Sequence, residues 1–146
     1  QPQGLKSHEC RNMNIQDIID TFDLMDDWED RFRYIIELGA RLPPMPDALK
    51  TEENKVRGCV SQVWLVLGWD GAGRLTLQAD SDAQIVRGLV AILFAAFAGK
   101  TVAEVQGVDI QGLFTHLGLD THLSPNRRNG FFSIVERIRA FTAART

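Results

Sequence analysis

Val60-Ser61-Gln62-Val63-Trp64-Leu65-Val66-Leu67-Gly68-Trp69-Asp70-Gly71-Ala72-Gly73-Arg74-Leu75-Thr76-Leu77-Gln78-Ala79 reads as two strands joined by a turn. Val60 to Leu67 is rich in β-branched and apolar residues, and the cluster from Gly68 to Gly73 is turn-forming. Leu75, Leu77 and Ala79 then alternate with Thr76, Gln78 and Asp80, which marks a strand with one solvated face. The pair is predicted to be an antiparallel hairpin. Two strands alone are marginal, so a third, from Leu49 to Val56, is expected to complete the sheet.

Helical signals surround the hairpin. Asn14 is placed as an N-cap for Ile15, Ile18, Ile19 and Phe22. Asp26 and Glu29 form a capping-box pattern ahead of Trp28, Phe32, Ile35 and Ile36, giving a helix over 27–38 that Gly39 should terminate. Leu42-Pro43-Pro44-Met45-Pro46 cannot continue it, because proline lacks an amide hydrogen and restricts the residue before it. Ser81 with Gln84 should cap a central helix carrying Ile85, Val86, Leu89, Ile92, Leu93 and Phe97, packed across the sheet. Thr101 with Glu104 and Asp109 cap two shorter helices. Ser124 and Pro125 open the last one, with Phe131, Ile134, Val135, Ile138 and Phe141 on one side. Helices around a small antiparallel sheet of about three strands make an α+β domain.

The chain has 146 residues, which suits a single domain, placed at 14–146. Residues 1–13 are polar and irregular and read as a disordered leader or a remnant of cloning. A formal charge of −3 argues against nucleic acid as a partner. The longest apolar run, Leu89 to Ala98, is about half of the roughly 20 residues needed to span a bilayer, so no membrane association is expected. Without an apolar signal segment at its start, the chain is expected to be cytoplasmic. Its two cysteines, Cys10 and Cys59, have neither the number nor the spacing of a four-cysteine metal site, and no metal is expected.

Cys59 is the candidate reactive group. It sits in Asn54-Lys55-Val56-Arg57-Gly58-Cys59-Val60-Ser61, where a basic, glycine-hinged loop runs into the first strand. Lys55 and Arg57 can stabilise a thiolate there, and Gly58 removes bulk beside it. The alternative is a buried, inert thiol at the strand start. Ser61 and Gln62 either hold the loop by hydrogen bonds or merely cap the strand. Arg127, Arg128 and Asn129 lie in the first turn of the last helix, where cations are disfavoured by the helix dipole, so the arginines either serve a partner or pair with a nearby acid. Gly130 costs about 1 kcal/mol inside a helix, which suggests close packing against another element. Asp82 reads as a first-turn acid, and Trp69 as an exposed contact in the hairpin turn.

The string Asn-Lys-Val-x-Gly-Cys-x-Ser-x-Val-Trp, over Asn54 to Trp64, resembles the signature of the SufE family. Asp80 to Leu89 and Leu119 to Gly130 fit the same family in the same order, and the resemblance spans about Ile15 to Phe141. It implies the family's α+β fold, shared with the IscU-like scaffold proteins of iron–sulfur assembly. It also implies a sulfur acceptor in which Cys59 takes a persulfide sulfur from a cysteine desulfurase, SufS- or CsdA-like, stimulates that enzyme and passes the sulfur to a downstream iron–sulfur scaffold complex. In such a relay Gly58 is the hinge of a mobile loop, Arg127 and its neighbours flank the cysteine toward the desulfurase, and the pyridoxal phosphate belongs to the partner, so no cofactor is expected here. The resemblance also implies a monomer or weak homodimer until the desulfurase binds. The protein would then be an accessory to an enzyme rather than an independent one. Position 60 departs from many relatives in being Val instead of a polar residue.

Two alternatives come from other classes. His116 or His122, oriented by Asp120 or Asn129, could activate Cys59 in a Cys-His hydrolase or transferase. A cluster scaffold would need several thiolates, and Cys59 is alone in the folded region.

Overall fold

The computed structural model of the protein describes residues 14–145; Cys10, His8 and the expected leader lie outside them. The Asn14 side chain accepts the Gln16 amide at 2.7 Å and opens α1 (Ile15–Leu24). α2 (Trp28–Ala40) is capped by Asp27, one residue later than expected, which accepts the Glu29 amide. Gly39 does not terminate this helix but lies inside it, buried against the helix that follows the sheet. A Cβ on Gly39 would stand 2.8 Å from the Gly88 nitrogen, and Gly88 in turn packs on the Ile35 carbonyl. A packing glycine near a helix end leaves the same trace in a sequence as a terminating one.

β1 (Val63–Trp69) and β2 (Leu75–Ser81) pair antiparallel, with Val63 opposite Ser81 and Trp69 opposite Leu75. The Asp70 carboxylate closes the turn by accepting the Ala72 and Arg74 amides, both at 2.9 Å. The strands thus run to Trp69, further than the glycine cluster suggested, and begin only at Val63. Trp69 is not an exposed contact: its ring stacks on Phe141 with centroids 5.6 Å apart, under the Arg145 guanidinium.

The sheet has two strands, not three. Leu49 ends a 3₁₀ turn (Asp47–Leu49), and the amides of Asn54 and Lys55 fold back onto the carbonyls of Thr51 and Glu52. Only 54–56 reach the edge of β1, through a single bridge between Lys55 and Trp64. There the Val56 amide donates to Val63 and the Leu65 amide to Asn54, each at 2.8 Å.

Helices supply the cover that a third strand would have given. α3 (Gln84–Phe97) lies between α2 and β2 and is buried at nearly every residue from Gly88 to Phe97. Its large side chains, such as Ile92, Leu93 and Phe97, each contribute about 1.5–3 kcal/mol by leaving water. No side chain caps α3; Ser81 instead ends β2, and its hydroxyl accepts the Ala83 amide. Thr101 and Glu104 do form the expected reciprocal box at the start of α4 (Val102–Gln106), and Asp109 caps α5 (Ile110–His116). α6 (Leu119–His122) follows, and α7 (Pro125–Ala143) starts from Ser124, which accepts the Arg127 amide, with Pro125 in its first turn. The fold is α+β, as expected. No helix among the described residues is long and apolar enough to cross a membrane.

Candidate functional site

Three segments meet at Cys59: its own loop, the start of α3 and the first turns of α7. Together they enclose a cavity of about 260 Å³, walled by Val86 and Leu89 from α3 and by Phe131 and Ile134 from α7. The Cys59 thiol points at the Gly130 carbonyl, 3.7 Å away. Gly130 is buried, and a Cβ there would stand 3.3 Å from the sulfur, so the bare helix face is what lets the thiol settle. This is the close packing that the mid-helix glycine suggested. Gly58 has φ +89°, in the left-handed region where only glycine is unstrained, and that turn aims Cys59 at α7. A Cβ on Gly58 would meet the Ser133 hydroxyl at 2.6 Å.

The cationic support expected for a thiolate is not assembled in this conformation. Lys55 pairs with Glu52 at 3.0 Å, while exposed Arg57 lies in a separate shallow groove with Asn129, Ser133 and Glu136. The cavity walls are mostly apolar, and burial pushes the Cys59 thiol up. Seated in this way, the thiol is half-buried against α7. Val60, the next residue, is 78% exposed at the cavity rim.

The other expected site residues separate. Gln62 is tied to Asp82 at the start of the hairpin: its amide and side-chain nitrogens donate to the two Asp82 oxygens at 3.1 and 3.3 Å, and the Asp82 amide returns a bond to the Gln62 carbonyl. Asp82 therefore precedes α3 and serves the loop, rather than acting as a first-turn acid. Ser61 lines the cavity. Arg127, Arg128 and Asn129 fan out around α7 at about 100° per residue, as helix geometry requires. Arg127 lines the Cys59 cavity and makes no ion pair among the described residues, so the acid that would make it purely structural is not there. Arg128 turns away to the Asp120 carbonyl at 3.2 Å, and Asn129 faces the Arg57 groove.

Neither histidine approaches Cys59 from the cavity side. His116 pairs with Asp23 at 3.2 Å, and His122 stacks on Trp28 with ring centroids 3.7 Å apart. Among the described residues no group of three or more His, Cys, Asp or Glu stands together in a way that could hold a metal ion.

One participant has no local sequence signal. Arg137 on α7 donates to the Lys55 carbonyl at 2.7 Å and to the Glu53 carbonyl at 3.1 Å, across more than eighty residues of sequence. An arginine in an amphipathic helix reads as a solvated face, and only the tertiary fold reveals its targets.

Comparison with known proteins gives the family. Residues 16–142 match the SufE family, described as an Fe-S metabolism associated domain. An uncharacterized SufE-like protein of Rhizobium meliloti is 49% identical over 130 residues, covering 87% of this chain and 93% of the relative. A second, from Rhizobium etli, is 48% identical over 129 residues, covering 86% and 87%. In fold, the chain is similar to the solution structure of a hypothetical protein from Thermus thermophilus, with a TM-score of 0.72 at 21% identity over 89% of this chain and 93% of that one. The chain, with its cysteine loop seated on the bare face of α7, belongs to the SufE family, whose domain is associated with iron–sulfur metabolism.

Proposed function

We propose that the protein is a sulfur acceptor and carrier: Cys59 takes a sulfane sulfur from the persulfide of a cysteine desulfurase and relays it to iron–sulfur cluster assembly. The observation that carries this reading is the seat of Cys59, a thiol on a glycine-hinged loop resting in a largely apolar cavity. A carried persulfide has two conflicting needs, protection from stray thiols and oxidants and access to a donor. A loop with a protected position and a hinge can meet both.

The transfer step balances without an added oxidant. Cys59 loses its proton, the thiolate attacks the terminal sulfur of the donor persulfide, a new S–S bond forms on Cys59, and the donor cysteine leaves as a thiolate. Because burial pushes the thiol up, this chemistry belongs to the swung-out loop rather than to the seated one. Arg127, on the cavity rim and free of an acidic partner among the described residues, is the group we assign to docking the desulfurase, an enzyme of either the Suf or the Csd type that owns the pyridoxal phosphate chemistry.

Intact-protein mass spectrometry after incubation with a cysteine desulfurase and cysteine tests the proposal. The expected result is a gain of one sulfur atom mapped to Cys59 and absent in Cys59→Ser. No gain with a desulfurase that demonstrably binds the protein would overturn it.

A further inference from the structure

We infer that Arg137 is a positioning residue for Cys59, setting the register of the cysteine loop along α7 so that the movable segment begins at Arg57 and the thiol comes to rest over Gly130. The loop lies along one face of α7 in ordered steps. Cys59 sits over Gly130, Gly58 against Ser133, and the carbonyls of Lys55 and Glu53 on the two arms of Arg137. Positions 130, 133 and 137 fall at the three- and four-residue spacings that share a helix face. The Gly130 contact adds only a long thiol-to-carbonyl hydrogen bond at 3.7 Å, and the Ser133 contact only leaves room. Arg137 alone in the row makes a directed pair of charge-assisted hydrogen bonds, and its rigid fork suits two carbonyls two residues apart.

The consequence is a short tether. Residues 53–56 are tied to α7 through Arg137 and to β1 through the Val56 and Leu65 amides, while Gln62 is tied to Asp82. Between these anchors, residues 57–61 belong to no helix or strand, and the turn at Arg57–Gly58 is their one regular backbone feature. Cys59 is three residues from Val56, so its backbone can lie no further than about 10 Å from that anchor. Without Arg137 the entry segment keeps its two bonds to β1, its own turn bonds and the Asn54 side-chain bond to the Leu49 carbonyl, but it loses its directed tie to α7.

The loop register stands on geometry alone; its importance for sulfur transfer rests on the acceptor reading. The experiment therefore needs no desulfurase. The rate of alkylation of Cys59 by iodoacetamide is followed from pH 6 to 10 on the full chain, with the modified peptide quantified so that Cys10 does not contribute. Arg137→Gln should speed alkylation at neutral pH by about tenfold, the low end of the effect of losing one charge-assisted hydrogen bond, and should move the midpoint of the pH profile down toward that of an ordinary thiol. Arg127, the charged residue lining the cavity, is untouched by this change. Arg139→Gln is the control, because Arg139 makes a comparable tie from α7 to the Val108 carbonyl at 3.0 Å, away from the loop, and should leave the profile in place. Where Arg137→Gln is too unstable to measure, Arg137→Met, which keeps the apolar stem and removes only the donors, carries the same expectation. A profile superimposable on that of the unaltered protein, or an equal shift in Arg139→Gln, would overturn the inference. Failure of the wild-type chain to accept sulfur would leave this result unaffected, so the two readings fail separately.

Discussion

Gly130 is the floor on which Cys59 rests: the sulfur lies 3.7 Å from the Gly130 carbonyl and would be 3.3 Å from a Cβ placed there. A glycine inside a 19-residue helix is a local weakness that tertiary packing has to justify. Here the justification is a seat for one atom. The helix surrenders propensity, and the loop gains a position in which its thiol is half-buried on α7, in a cavity that α3 also lines.

Gly130→Ala separates these two effects. The substitution should gain up to about 1 kcal/mol of helix propensity while crowding the sulfur by a few tenths of an ångström. Since 57–61 lie outside any helix or strand, the loop rather than the helix should yield. Thermal unfolding should show little or no loss of stability, while Cys59 becomes more accessible to iodoacetamide. A variant as slow to alkylate as the unaltered protein would show that the floor does not need to be bare.

Gly58→Ala should cost more. Its φ of +89° makes any side chain strained, by about 1–2 kcal/mol, and the new Cβ would meet the Ser133 hydroxyl. The double variant with Ser133→Ala removes that hydroxyl and leaves the Ser133 Cβ at an ordinary 3.5 Å, so it should recover the steric part and not the backbone part. Urea unfolding of the two single variants and the double one measures the split. Full recovery in the double variant would mean that the left-handed turn carries no cost and that Gly58 is not a conformational hinge.

The α+β class, the hairpin, the central helix and the cap at Ser124 were legible because each rests on local chemistry: alternation, periodicity or a side chain reaching its own helix end. The close packing at Gly130 was legible for a related reason, as a glycine inside a helix is locally out of place. The failures are tertiary. The third strand was lost to turns at Thr51–Lys55, and Gly39 looked like a terminator until Gly88 was seen across from it. Lys55 and Arg57 looked like partners of the thiol because they are its neighbours in sequence, yet both face elsewhere. Arg137 could not be assigned at all, since nothing within its own helix distinguishes an arginine that grips two distant carbonyls from one in water.

The pH dependence of Cys59 follows from its seat. Burial raises the thiol in the folded chain, so its alkylation midpoint should lie above the ordinary value of about 8.5 and fall back to it in strong urea. The sign for stability is the same as for any group raised on folding. The contribution is fully present below the unfolded value and is lost as pH rises through the folded one. Cys59→Ser, which cannot ionise in this range, should flatten that alkaline loss. A folded midpoint at or below about 8.5 would mean that Arg127 or another cation reaches the thiolate after all.

Asp80 links the core to the loop and gives the opposite sign. Burial would push its carboxyl up. Hydrogen bonds from Lys50 at 3.0 Å, the Ser81 amide at 2.8 Å and Arg87 at 2.7–2.8 Å, with the Arg87 charge, outweigh it and hold the carboxyl below the usual range. Its contribution is thus present above the unfolded value of about 3.9 and is lost as pH falls through the folded one. Asp80→Asn should cost about 1–2 kcal/mol at neutral pH, at the low end for bonds to a charged group because Arg87 and Lys50 remain partly in water. The difference between the two proteins should stay level from pH 7 to about pH 5 and narrow below about pH 4. Urea unfolding at pH 7, 5 and 3.5 checks this, and a difference that persists undiminished at pH 3.5 would remove the ionised carboxylate from the account. Because Asp82, two residues on, holds Gln62, loosening this end of β2 should also release the exit of the cysteine loop, so Asp80→Asn is expected to speed Cys59 alkylation at neutral pH.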